Sequence, residues 1–208
     1  MKIITVSREF GSGGREVGKR LADELGFAYY DREIVEEIAS RCSLDEKYVA
    51  NVLERCVSHT FPLHFGHTFA HLSAPVVNSG SMNLFAEQTK LIKELASKGD
   101  CIIVGRAADV VLAEYSPFNL FVYADMKYKV DRCMQRASEN EKLTKRETEK
   151  MIKRIDNERK KLHSIISDVE WGNKDCYHLC VNTGGMEIKE IVPAIATYAK
   201  AWFDAHHN

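Results

Sequence analysis

Residues 3–18, IITVSREFGSGGREVG, constrain this chain more than any other stretch. Ile3, Ile4 and Val6 read as a short buried strand, Gly11, Gly13 and Gly14 as a tight loop, and Arg15 onward as a helix. Strand, glycine loop and helix in that order turn successive backbone N–H groups toward one point, and the helix N-terminus adds roughly half a positive charge there. Such a loop holds an anion, and a phosphate in particular.

The rest of the chain supplies a scaffold for that loop. Val17, Leu21, Ala22 and Leu25 keep a helical period that Gly26 stops, and residues 27–30 form a brief aromatic strand. Asp31 stands where that strand becomes a helix carrying Ile34, Val35, Ile38 and Ala39, a place from which a carboxylate caps free N–H groups. A further helix is expected over residues 43–57. Between 58 and 75 no period survives, and His59, His64, His67 and His71 fall there without a Cys, Asp or Glu to complete a metal site, so the stretch reads as the rim of an insertion. Leu84, Phe85, Leu91, Ile92 and Leu95 mark the next helix, which Gly99 ends.

Residues 101–104 are wholly apolar, as a parallel strand covered on both faces must be. Gly105-Arg106 follows at its C-terminal edge, where ligands gather in open α/β sheets; Arg106 is either an anion ligand or the partner of a structural carboxylate. A strand over 119–124 leads to a helix over 127–137 bearing Arg132 and Arg136. The most highly charged part of the chain, 138–161, keeps Met151, Ile152 and Ile155 at helical spacing and otherwise reads as a solvated surface. Within it Asp156 and Arg159 are i, i+3 neighbours, whereas Arg154 points elsewhere. A last strand over 177–182, with Cys176 and Cys180 taken as core packing, and a helix over 187–203 complete the chain. Four or five short strands alternating with helices predict an α/β fold: a three-layer parallel sheet in one domain.

Composition narrows the function. With 45% hydrophobic residues, 28% charged residues and a net charge of −1, the chain lacks the basic excess of a nucleic-acid binder. No apolar run approaches the ~18 residues of a membrane span, and Met1-Lys2 leads straight into a strand, so a cytoplasmic location with no membrane partner is expected. The six scattered cysteines are expected to be reduced.

Two loop patterns compete. A dinucleotide loop, G-x-G-x-x-G with an acid ~20 residues on, is met by Gly11-Ser12-Gly13 and Asp31, but Glu16 takes the last glycine position. A mononucleotide loop, G-x-x-x-x-G-K-[ST], aligned on Gly13, puts Arg8 at the first glycine, Gly14 at the lysine and Arg15 at the hydroxyl residue. An NAD-dependent oxidoreductase and a mononucleotide-binding protein both stay open on spacing alone.

Four segments together, SREFGSGGREVGKRLADELG, YYDREIVEEIA, IIVGRAADVVL and IDNERKKLH, resemble the cytidylate kinase-like family, a branch of the P-loop nucleoside monophosphate kinases. The resemblance implies the P-loop kinase sheet with a helical acceptor-binding insertion at 31–75 and a helical lid at 138–165. It implies ATP with Mg²⁺ as phosphoryl donor, a CMP-like nucleotide or related small molecule as acceptor, and no metal ligand set of the protein's own. Gly11, Ser12, Gly13, Gly14, Arg15 and Glu16 would hold the ATP phosphates, and Asp31 and Arg32 would border the acceptor phosphate. Arg106 would face the acceptor base, Asp156 and Arg159 would reach ribose and phosphate, and Arg132, Arg136 and Arg154 would belong to the lid. Arg15 and Arg159 are then the catalytic cations.

The chain departs from that family's loop, which carries a lysine and then Ser or Thr where Gly14, Arg15 and Glu16 stand here. The missing charge falls to Arg15, Arg8 or Lys19, Arg15 being nearest in sequence, and Ser12 or Glu16 would stand beside the metal. A protein of the same fold that binds nucleotide without catalysis is the corresponding alternative.

Overall fold

The structure, a computed structural model, describes residues 1–55, 79–137 and 143–206. The four histidines of 58–75 lie outside the described residues, as do the rest of the insertion from 56 to 78 and the first residues of the expected lid.

Five parallel strands form one sheet: β1 (Ile3–Arg8), β2 (Ala28–Tyr30), β3 (Cys101–Val104), β4 (Phe118–Tyr123) and β5 (Leu179–Asn182), in the order β2-β3-β1-β4-β5. Eight helices are described around it: α1 (Gly14–Leu25), α2 (Glu33–Cys42), α3 (Glu46–Arg55), α4 (Ser79–Ala96), α5 (Ala108–Val111), α6 (Met126–Arg136), α7 (Lys145–Ile166) and α8 (Ile188–His206). Because side chains alternate along a strand, each central strand feeds two cores. Ile4, Val6, Ile102, Val104, Leu120 and Val122 pack with α1 and α8, whereas Ile3, Cys101 and Ile103 pack with α2, α3 and α4. The three-layer parallel architecture is therefore as the alternation of strands and helices predicts.

Strand order decides between the two loop patterns. A dinucleotide fold places its second strand beside the first, so that the acid ending it reaches the ribose. Here β3 lies next to β1, in register from Ile3↔Cys101 to Val6↔Val104, and β2 is one strand further out. The oxidoreductase alternative is thus overturned. Two smaller expectations also change. Cys176 and Cys180 are partly exposed, not core: Cys176 lies in the turn before β5, and Cys180 on β5 itself, an edge strand with less cover. The chain also forms a short helix at α5, which its sequence pattern did not disclose.

The sheet has one position where consecutive connections leave in opposite directions. After β1 the chain goes toward β3 and β2, and after β3 it crosses to β4 on the other side of β1. Ligands bind at the carboxyl ends of strands at such a point, and that is where the glycine loop sits.

Candidate functional site

The loop between β1 and α1 is built so that its carbonyls face the protein. The carbonyl of Arg8 accepts from Arg159 at 2.9 Å, that of Glu9 from the Ser12 hydroxyl at 2.8 Å, that of Gly11 from Arg132 at 2.8 Å, and that of Ser12 from the Thr183 hydroxyl at 2.6 Å. The first-turn amides of α1 have no carbonyl of their own helix to reach, and no side chain caps Gly13. The amides of Glu9, Phe10, Ser12 and Gly14 donate within the protein, to the Val122 carbonyl, Asp156, the Glu9 carbonyl and the Ser12 hydroxyl. Gly11 and Gly13 hold φ of 78° and 83°, and a Cβ on Gly13 would come within 2.3 Å of Ile188. These glycines are required by both backbone and space.

Charged side chains from α6 and α7 clamp the loop. Asp156 accepts from the Phe10 amide at 2.6 Å and pairs with Arg159 at 3.4 Å and Lys129 at 3.5 Å. Lys129, almost fully buried, also reaches Glu9 at 2.9 Å. Burial pushes the Asp156 carboxyl up, against the Phe10 amide and the two cations that favour its charged form. Asp156, expected to reach the ribose, is therefore engaged with the loop itself. Arg132, expected in the lid, is likewise a brace, bonded to Gly11 and Thr183.

The loop opens on a cleft of about 1270 Å³ into which seven arginines project: Arg8, Arg15, Arg32, Arg106, Arg132, Arg136 and Arg159. Asp31, nearly buried, pairs with Arg15 at 2.8 Å and lies 3.9 Å from Arg8. It does not cap α2 as expected; Arg32 occupies the cap position and the Asp31 carboxylate turns to the arginines instead. Burial alone would raise the Glu16 carboxyl, but hydrogen bonds from Arg20 and Arg136 outweigh it and hold the group low. Arg106 sits in a run of three left-handed residues, with φ of 73° at Gly105, 59° at Arg106 and 48° at Ala107. Two non-glycine residues so placed cost on the order of 1 kcal/mol or more each, and strain of that kind collects at ligand sites.

The expected site residues divide clearly. Gly11, Gly13, Gly14, Arg15, Arg32, Arg106, Arg132, Arg136 and Arg159 share the cleft. Arg154 does not: it is exposed on the far face of α7, beside Lys150, Lys153 and Lys161. Lys19 is also outside, paired with Asp23 at 3.1 Å. Ser12 is fully buried, its hydroxyl spent on Glu9 and the Gly14 amide, and Glu16 is taken by arginines, so neither suits a metal. Among the described residues no three His, Cys, Asp or Glu side chains converge. The pattern of residue types missed Lys129, Glu9 and the buried pair His163–Asp109 at 2.9 Å, none of which stands in a motif. Arg8 carried a signal, standing where a mononucleotide loop has its first glycine.

Comparison with known proteins agrees with this geometry. No curated protein matches the chain. An uncharacterized protein from Eubacterium ventriosum is 23% identical, with a TM-score of 0.68 over 97% of this chain and 99% of that one. Shikimate kinase from Acinetobacter baumannii, in complex with shikimate, is 14% identical, with a TM-score of 0.54 over 97% and 94%. A gluconokinase from Sinorhizobium meliloti is 14% identical, with a TM-score of 0.53 over 99% and 98%. These similarities establish the fold as that of the P-loop kinases. The family model of the cytidylate kinase-like family matches residues 3–185, and the chain belongs to that family.

Proposed function

We propose that this protein is a phosphotransferase that moves the γ-phosphoryl group of ATP to a small anionic acceptor, a CMP-like nucleoside monophosphate or a related small molecule. The observation that carries this is the convergence of arginines from the end of β1, from α1, the start of α2, the β3–α5 turn, α6 and α7 on one glycine loop. Phosphoryl transfer requires in-line positioning and positive charge where oxygens gain negative charge, with little covalent participation by protein. Guanidinium groups suit this, being always charged and able to bind phosphate through two N–H groups. The loop amides and Arg15 take the donor phosphates, Arg159 reaches from α7 toward the group in transfer, and Arg32 and Arg106 take the acceptor. The described parts of the insertion, α2 and α3, and of the lid, α7, line the same cleft, and enclosure of the acceptor there excludes water, which would otherwise receive the phosphoryl group.

Mg²⁺ supplies charge neutralisation between the β- and γ-phosphates in this chemistry. The acids at the loop, Glu9, Glu16, Asp31 and Asp156, are all paired with cations, so none would be free to hold the ion, and the nucleotide and water would hold it instead. A second function, nucleotide binding without catalysis, is favoured by Gly14 at the lysine position and by the engagement of Arg15 with Asp31.

Transfer of labelled phosphate from Mg·ATP to a panel of nucleoside monophosphates and small hydroxy acids separates the two. Turnover on one acceptor is expected; ATP binding without transfer to any would favour the silent protein, and no ATP binding would reject both. Arg106→Ala should raise the acceptor KM about tenfold, or ~1.4 kcal/mol, with the ATP KM little changed.

A further inference from the structure

The loop lacks the lysine of a mononucleotide cradle, yet the space where that side chain would start is filled. A Cβ on Gly14 would come within 2.5 Å of the Arg8 Cβ and 2.9 Å of its Cγ. Two of the three positions that break the G-x-x-x-x-G-K-[ST] pattern, the first glycine and the lysine, are therefore in direct contact across the loop. Only a side chain on one of them fits.

The path of Arg8 is enclosed at its other end as well. A Cβ on Gly105 would fall 1.7 Å from Nη1 of Arg8, so the guanidinium lies against the bare backbone of the β3–α5 turn. Its Nε is buried and has no hydrogen-bond partner. The charged groups around it are the guanidiniums of Arg159, Arg15 and Arg106 against one carboxylate, Asp31, which is 3.9 Å away and more closely bound to Arg15. Burial and the nearby Arg159 pull Arg8 well below the ordinary arginine value. A largely enclosed cation among three like charges thus has one carboxylate, Asp31, which it shares with Arg15, and it lines the cleft beside the glycine loop.

We propose that the phosphate-binding cation of this loop has moved from the helix to the strand: Arg8, threaded between Gly14 and Gly105, takes the place of the lysine and contacts the polyphosphate of the bound nucleotide. This rests on the phosphotransferase function proposed above and names the residue that makes the loop work. Arg15, exposed by 44% and held on Asp31 at 2.8 Å, is the lesser contributor. Position 8 can carry a cation only because position 14 is glycine, so the two residues act as a pair.

Binding of inorganic tripolyphosphate and of ATP, measured by calorimetry, tests the pairing. The wild-type chain should bind both; if it binds neither, the phosphate seat itself is rejected, and Arg8 with it. If it binds, Arg8→Met should weaken both ligands at least tenfold and Arg15→Met about threefold or less. The double variant Arg8→Gly with Gly14→Lys returns the cation to the helix and should bind within about threefold of wild type, whereas Arg8→Gly alone stays weak. Full binding by Arg8→Met, or a folded double variant no better than Arg8→Gly, overturns the inference while leaving the seat intact. Should these variants not fold, the guanidinium Nε resonance of Arg8 in the wild-type chain decides: it should shift on adding tripolyphosphate, and an unmoved resonance overturns the assignment.

Discussion

Both faces of α7 carry charged residues, and these do different things. Lys150, Lys153, Arg154, Asn157, Glu158 and Lys161 look outward over a shallow groove, solvated and remote from the loop. Thr148, Ile152, Asp156, Arg159 and His163 follow one another at steps of four, four, three and four on the inner face. There the three polar residues past Ile152 meet partners from elsewhere in the fold: Asp156 the Phe10 amide, Arg159 the Arg8 carbonyl, and His163 both Asp109 and the Val169 carbonyl. A charged residue on this helix is defined by what other elements place against it, not by its type. In water such pairs contribute ~0–1 kcal/mol, whereas removing one member of an enclosed pair strands the other.

That contrast can be broken or sharpened by substitution. The largest effect is expected for Asp156→Ala, which leaves the Phe10 amide unpaired and removes one partner from nearly buried Lys129; a loss of about 3 kcal/mol should appear in urea unfolding. Next comes His163→Gln, at ~1–3 kcal/mol near pH 6. Burial opposes the charged ring, but the Asp109 hydrogen bond and charge, with the Val169 carbonyl, outweigh it and raise the His163 value. A raised value means that this stabilisation is complete below the unfolded pKa of ~6.5 and lost as pH rises through the folded one. The difference between wild type and His163→Gln should therefore shrink from pH 6 toward pH 9; a constant difference would show that the ion pair contributes nothing.

Smaller effects test the ends and the outside of the helix. Thr144→Ala removes a capping box, in which the Thr144 hydroxyl and Glu147 bond each other's amides, and should cost ~1 kcal/mol. Arg154→Ala should change stability by less than ~0.5 kcal/mol and leave ligand binding unaltered. A large effect at Arg154 would erase the distinction between the faces.

The layers of the fold were legible because they are written in local period. The run at 101–104 has no polar residue and becomes β3, buried throughout, and the spacing of Val17, Leu21 and Ala22 becomes the inner face of α1. The site was legible only in part. Gly11, Gly13 and Arg106 announce themselves by residue type next to a strand end. The destinations of Asp31, Asp156 and Arg132 did not, because a carboxylate beside a helix start suits a cap or an ion pair equally until its neighbours are known. Lys129 and Glu9, one from α6 and one from the loop, are separated by 120 residues and meet only through folding.

By itself the sequence determined the alternation of strand and helix, the position of the glycine loop after the first strand, and the abundance of arginine near strand ends, since each depends on neighbours along the chain. Tertiary structure alone decided that β3 and not β2 lies beside β1, that Asp156 and Arg132 brace the loop, and that Arg8 and Gly14 share one space. Strand order and side-chain contact are set by which surfaces bury one another, and those surfaces belong to residues far apart in the chain.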